Sequence, residues 1–305
     1  MNAGDNRERL DTYLVRHGLA ESRRIAKVLI DQGLVRVNGR RLNKGATVAP
    51  SDTIEIERTS SPKAIESNSD LSVPLLYADE AVLIINKPGS MPCHPLRAGE
   101  RETVMNAIAA NFPDAAIDRD RPLEGGLVHR LDNGTSGALI IARTPEAFVI
   151  LRAAIKGGAI RREYLALVAG RFDSAREISE PVAHHPKNPR KMVTGAESRS
   201  RSSHRPALSW IVPMARYRDF TLVKVLPRTG SRHQIRVHLA SIGHPIVGDS
   251  LYGGPEIGSL RPDRFWLHLT RLEFESPAGN YIRVEAPLPP ELAATLDSIR
   301  GQQKA

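Results

Sequence analysis

The sequence predicts an α+β protein in two parts, and three observations carry that prediction. The chain has 305 residues, beyond the length at which one hydrophobic core usually stops growing, so two domains are expected. A polar, serine-rich stretch at residues 59–72 reads as a flexible linker between them. Beyond it, short strand-like runs dominate without regular strand–helix alternation, which favours an α+β sheet domain over a Rossmann arrangement. The expected parts are residues 8–58, the linker 59–72, a larger domain at 73–292 and a polar C-terminal tail at 293–305.

Each element of the first part has a local cause. Leu10, Tyr13 and Leu14 fall at helical spacing. Ser22 suits an N-cap, Ile25, Val28 and Leu29 line one face of a second helix, and Gly33 stops it. Asn38-Gly39 between short apolar runs signals a type I′ hairpin, and Thr53-Ile-Glu-Ile-Glu57 alternates like a closing strand. In the larger part, strands are expected at Ala81–Ile85, Ala138–Ala142, Tyr164–Val168, Phe220–Val225 and Ile282–Glu285. A helix lies between two of them: Thr144 caps it, Pro145 opens it, Phe148, Leu151 and Ile155 share a face, and Gly157-Gly158 follow. Trp210 and Trp266 sit in apolar strand-like context and are expected in the core.

Composition removes several classes. Apolar residues at 41% and charged residues at 25% are near the globular average, which excludes a wholly disordered or fibrous chain. No run approaches the ~18 apolar residues of a membrane span, and Met1–Arg7 lacks the apolar core of a signal peptide. A single cysteine, Cys93, forms no internal disulfide and no cysteine-based metal site, so a reducing cytoplasm fits. Lys plus Arg number 43 against 34 Asp plus Glu, a net charge of +9, which points to a polyanionic partner. The charge is concentrated: Arg7–Gly45 holds 10 basic and four acidic residues, and His185–Pro245 holds 12 and two.

The densest chemical segment is Gly125-Gly-Leu-Val-His-Arg-Leu-Asp-Asn-Gly-Thr-Ser-Gly137. It places Asp132 in a polar turn at the lip of a sheet, with Arg130 close in sequence. Such a carboxylate serves as nucleophile, as general base or simply as a turn residue, and composition alone leaves these open. Cys93-His94, flanked by Pro92 and Pro95, reads as a loop rather than a thiol nucleophile. The ten histidines show no metal-ligand spacing, and His129 and His238 are expected to hydrogen-bond within the fold. His184–Lys191 reads equally as a loop that contacts the polyanionic partner or as a solvated basic loop.

His129-Arg130-Leu131-Asp132 with Thr135-Ser136-Gly137 resembles the signature of the RluA-type pseudouridine synthases. The resemblance extends through Asn86–Pro95, Arg162–Val168, Thr229–Ala240, Gly243–Asp249, Phe265–Leu269 and Ala286-Pro287. Residues 8–57 resemble the RNA-binding domain named after ribosomal protein S-four, through Arg9-Leu10-Asp11, Ser22-Arg23 and Gly33-x-Val35-x-Val37-Asn38-Gly39. These resemblances imply a catalytic domain on a mixed, largely antiparallel sheet with flanking helices, preceded by an RNA-binding domain. They imply isomerisation of uridine to pseudouridine without cofactor or metal. Asp132 is the implied catalytic carboxylate, Tyr164 the tyrosine that stacks on the target base, and Arg236 the arginine paired with Asp132. A base turned out of its stack onto an aromatic ring is the usual solution for chemistry on a base.

Arg23, Arg24, Lys27 and Arg40 are the expected RNA contacts of the first domain, and Arg130, Arg232, His233 and Gln234 those of the second. The family's Gly-Arg-Thr-His-Gln stands here as Gly230-Ser231-Arg232-His233-Gln234, and Arg162 replaces a lysine. The expected partner is structured RNA, ribosomal before transfer, bound by a monomeric cytoplasmic protein away from membranes. Two other readings are a non-catalytic RNA-binding or ribosome-assembly protein on the same fold, and a metal-dependent RNA hydrolase using Asp132 with histidines.

Overall fold

The computed structural model describes residues 7–20, 23–31, 33–43, 45–56, 65–117, 123–195, 204–258 and 260–302, without the side chains of residues 24, 25, 28 and 302. The chain divides into two compact units, Met1–Pro62 and Lys63–Ala305.

In the first unit, β1 (Glu8–Arg9) leads into α1 (Leu10–Arg16), followed by α2 (Arg23–Asp31), β2 (Val35–Val37), β3 (Arg40–Arg41), β4 (Thr47–Val48) and β5 (Ile54–Ile56). β2 lies between β3 and β5, and β1 pairs with β4. Asn38 and Gly39 both take positive φ, 50° and 76°, as a type I′ turn requires. Leu10, Leu14, Ala26, Ile30, Val35, Val37 and Val48 form the buried core. The expected Ser22 cap and the side chains of Ile25 and Val28 lie outside the described residues. Asp11, at the start of α1, is buried and bound by Arg9 at 3.0 Å and Arg23 at 3.1 Å. The Arg9 hydrogen bond, helped by Arg23 and opposed by burial, holds the Asp11 carboxyl down to about 2.

The second unit adds β6 (Leu75–Ala78), β7 (Val82–Lys87), α3 (Val104–Asn111), β8 (Ser136–Ala142), α4 (Pro145–Gly157), β9 (Arg161–Ala169) and β10 (Arg176–Ile178). There follow β11 (Val182–His184), β12 (Met192–Thr194), β13 (Ser209–Arg216), β14 (Phe220–Pro227), α5 (Gln234–Ser241), β15 (Leu267–Glu275), β16 (Tyr281–Glu285) and α6 (Pro290–Gln302). Nine strands form one sheet in the order β10-β13-β14-β9-β15-β8-β7-β6, with β16 on β15. The β8–β15 pairing is parallel, and every other pairing among the described strands of the sheet is antiparallel. All seven residues of β8 are buried, so the turn that enters this strand is anchored on a fully buried element. Gly137 there has φ +118°, and a Cβ on it would stand 2.2 Å from the Leu269 carbonyl oxygen. Only glycine lets β15 approach so closely. Thr144 caps α4 as expected, its Oγ1 accepting from the Ala147 N–H, and Gly158 ends it in the left-handed region.

Three expectations need correction. Residues 65–72 are not a free linker: Ile65 and Asn68 are buried, and the Asn68 amide donates to the Arg101 carbonyl while Asn106 of α3 donates to that of Glu66. The rest of the expected linker, through residue 64, lies outside the described residues. The expected C-terminal tail belongs, through Gln302, to helix α6, whose Leu292, Leu296 and Ile299 are buried in the main core. Its polar residues hid an apolar face at helical spacing. Trp266 is fully buried and donates to the Leu292 carbonyl, but Trp210 is 41% exposed, because it lies on the outward face of β13 near the sheet edge.

Candidate active site

Asp132 sits in the turn Leu131–Gly134 that enters β8, and three buried side chains from elsewhere hold that turn. The Cys93 thiol donates to the Leu131 carbonyl at 3.3 Å, the Lys87 ammonium to that of Asn133 at 3.2 Å, and the Arg264 guanidinium to that of Gly134. Lys87 also donates to the carbonyls of Pro88 and Met91, and Arg264 to the Ser136 hydroxyl. Burial pushes the Lys87 ammonium down to about 8 and the Cys93 thiol up. Cys93 is thus part of the frame around Asp132.

Helix α5 brings Arg236 to this turn. Arg236 Nη1 donates to Asp132 Oδ2 at 3.0 Å, while Nε and Nη2 donate to the two oxygens of Asp249 at 2.7 and 2.8 Å. The fork is therefore clamped on one edge by a fully buried carboxylate and offers a single N–H to the other. Burial works against the Arg236 charge, but the hydrogen bond and charge of Asp249, with those of Asp132, outweigh it and push its pKa up. Its guanidinium stacks 4.3 Å from the Phe265 ring centre and 5.0 Å from that of Tyr252. The Asp132 carboxylate stays 25% exposed, with a permanent cation beside one oxygen. Such a group suits addition to an electrophilic carbon or stabilisation of positive charge developing on a sugar.

The turn opens into a cleft of about 700 Å³ lined by Asp132, Tyr164, Arg162, Arg130, His233 and Arg236. Tyr164, on β9, is almost wholly buried, and burial pushes its phenol up to about 12, so a neutral aromatic face meets the cleft at neutral pH. Arg162, beside it in sequence, is buried and donates to the carbonyls of Pro227 at 3.5 Å and Thr229 at 3.2 Å. Arg130 is half-exposed and pairs with Glu124 at 3.4 Å. Arg152 and Arg205 add positive charge at the cleft walls.

The three expected catalytic residues thus share one cleft. The expected RNA contacts divide. Arg232 is exposed and reaches the carbonyls of Pro189 and Arg190 in the basic loop after β11. Gln234 requires correction as an RNA contact. It is buried, its amide oxygen accepting from Thr229 and Ser231 and its amide nitrogen donating to Leu208 and Ser209, so it staples the start of α5. His233 also departs from that expectation: its side chain is only 10% exposed and turns towards Asp132. Arg23, Lys27 and Arg40 belong to the first unit, where Arg40 is exposed and Arg23 pairs with Asp11; the Arg24 side chain lies outside the described residues. His129 accepts from the Ile140 N–H, and His238 contacts the Ser209 hydroxyl and the Glu180 carbonyl, as expected of histidines within a fold. Asp249, Tyr252, Lys87 and Arg264 escaped the sequence reading as site residues, although the motif runs contain Lys87 and Asp249. Among the described residues no group of three or more His, Cys, Asp or Glu is placed to hold a metal ion, and no helix is long and apolar enough to cross a membrane.

Residues 81–241 match the family described as RNA pseudouridylate synthase, and residues 8–54 match the S4 domain. The chain is 33% identical over 314 residues to ribosomal large subunit pseudouridine synthase D of Escherichia coli K12, covering 96% of this chain and 91% of that one. The protein of that name in Haemophilus ducreyi is 32% identical over 306 residues, with the same coverages of 96% and 91%. An RNA pseudouridine synthase of Chloroflexus aurantiacus is 34% identical over 299 residues, covering 97% and 91%. Among solved structures, human RNA pseudouridylate synthase domain containing 1 superposes with a TM-score of 0.60 at 26% identity, over 79% of this chain and 98% of that one.

Proposed function

The chain belongs to the RNA pseudouridylate synthase family, and from that premise we propose that it isomerises uridines of large-subunit ribosomal RNA in the cytoplasm, with Asp132 as the reacting carboxylate. The observation that carries the reading is the Asp132–Arg236 pair lining a cationic cleft, with Asp249 clamping Arg236 from the buried side. The uridine is turned out of its strand, and its base stacks on the neutral Tyr164 ring. Asp132 adds covalently to base or sugar, or stabilises charge on the sugar while the base detaches, turns and rejoins through carbon. Arg236 holds one oxygen of the carboxylate and aims it. Cationic side chains around the cleft, Arg130 and Arg232 foremost, hold the phosphates, and the S4 domain supplies a second grip through Arg23, Arg24, Lys27 and Arg40. The length shared with relatives named for the ribosomal large subunit supports that substrate.

The test is tritium release from in vitro transcribed, hence unmodified, large-subunit RNA labelled at the uracil carbon that forms the new bond. Wild-type protein is expected to release tritium, and Asp132→Ala to release none while still binding the RNA. Release by Asp132→Ala would remove the carboxylate from the reaction. No release by wild type on ribosomal RNA, with release on transfer RNA, would reassign the substrate.

A further inference from the structure

His233 occupies a place that phosphate binding does not explain. It precedes the first turn of α5 with φ +52°, a left-handed conformation that a non-glycine residue rarely adopts. This twist turns the imidazole inward, where Nε2 stands 3.9 Å from Asp132 Oδ1, the oxygen that Arg236 does not hold.

The other ring nitrogen fixes the proton. His233 Nδ1 lies 3.0 Å from the Tyr252 hydroxyl, and that oxygen accepts the Met192 N–H at 2.8 Å. The Tyr252 O–H needs an acceptor, and Nδ1 is the one within hydrogen-bond distance among the described residues. With that bond made, the ring carries its proton on Nε2, on the side of Asp132. Burial first, then the nearby guanidiniums of Arg236 and Arg232, hold the imidazole down to about 4 against the pull of Asp132 and Asp249, so it is a neutral donor at pH 7.

We propose that His233 is a positioning residue: its Nε2–H, set by Tyr252, closes onto Asp132 Oδ1 when RNA seats in the cleft and, with Arg236 on Oδ2, fixes the carboxylate plane for reaction. Hydrogen bonds of this kind are commonly long in an unliganded site and tighten in the complex. This inference rests on Asp132 being the reacting carboxylate.

Single-turnover tritium release and RNA affinity are measured together for wild type, Asp132→Ala, His233→Ala, His233→Asn and His233→Gln. A glutamine amide nitrogen reaches the place of Nε2, and an asparagine amide reaches only that of Nδ1. The Ala and Asn variants are expected to lose up to ~100-fold in single-turnover rate with RNA affinity unchanged, and Gln to recover most of it. A merely structural role would not sort Gln from Asn. A His233→Ala rate equal to wild type overturns the proposal, as does a loss confined to RNA affinity, which would make His233 a phosphate contact. Active Asp132→Ala would instead sink the reading on which the inference rests. A second arm needs no RNA: ¹⁵N spectra of histidine-labelled protein are expected to show His233 neutral with its proton on Nε2 from about pH 5 to 8, and Tyr252→Phe to release that tautomer. An Nδ1-protonated ring in the wild type overturns the proposal.

Discussion

Asp249 and Arg236 show how one buried residue governs another. The Asp249 carboxylate is 1% exposed and binds two donors on one edge of the Arg236 fork, so the pair is shielded from water and from salt. Arginine is chemically suited to this because its charge survives burial and its planar donors match a carboxylate. Removing one partner of a buried pair leaves the other uncompensated, which costs about 3–5 kcal/mol. Asp249→Ala is therefore expected to lower the thermal midpoint of the second unit by roughly 10 °C. The residual protein is also expected to react more slowly, because Arg236 then swings freely between its stacking rings. A thermal melt with a midpoint equal to wild type would show that Asp249 is dispensable to Arg236.

At the scale of elements, what was legible in the sequence and what was not follow a physical division. Local signals were reliable: the Asn38-Gly39 turn, the Thr144 cap and the period-two runs each act within a few residues. Asp132, Tyr164 and Arg236 could be singled out as candidates because they lie in motif runs, and the fold brings them to one cleft from a turn, a strand and a helix. Helix α6 was hidden because Leu292, Leu296 and Ile299 are spread thinly among polar residues, and only the sheet they cover makes them core. Tyr252, and the clamp that Asp249 places on Arg236, were hidden for a related reason, since their partners stand in other segments. Leu292 tests the point. It is fully buried, and its carbonyl accepts from Trp266. Leu292→Ala is expected to cost about 2–5 kcal/mol through lost burial and the cavity left behind, measured by urea unfolding. A cost near zero would return the segment to the status of a dispensable tail.

At the scale of the whole molecule, charge decides how the protein meets its substrate. The excess of 43 basic over 34 acidic residues falls mainly in two runs, one in each compact unit. Many individual ion pairs, such as Arg23 with Asp11 and Arg130 with Glu124, leave the guanidinium half-exposed, so these groups still project charge outward. An RNA bound by such groups displaces condensed counterions, and each displacement makes binding more favourable at low salt. With about six phosphates contacted, affinity is expected to fall ~10³-fold between roughly 50 and 200 mM salt. Arg232→Ala is expected to weaken binding evenly across RNA sequences and to lower the slope of log affinity against log salt by about one. The single-turnover rate at saturating protein stays unchanged, since Arg232 touches loop carbonyls and not Asp132. Filter binding across a salt series, read beside tritium release, separates these effects. An unchanged slope would place Arg232 outside the phosphate footprint, and a slower saturating rate would tie it to the chemistry instead.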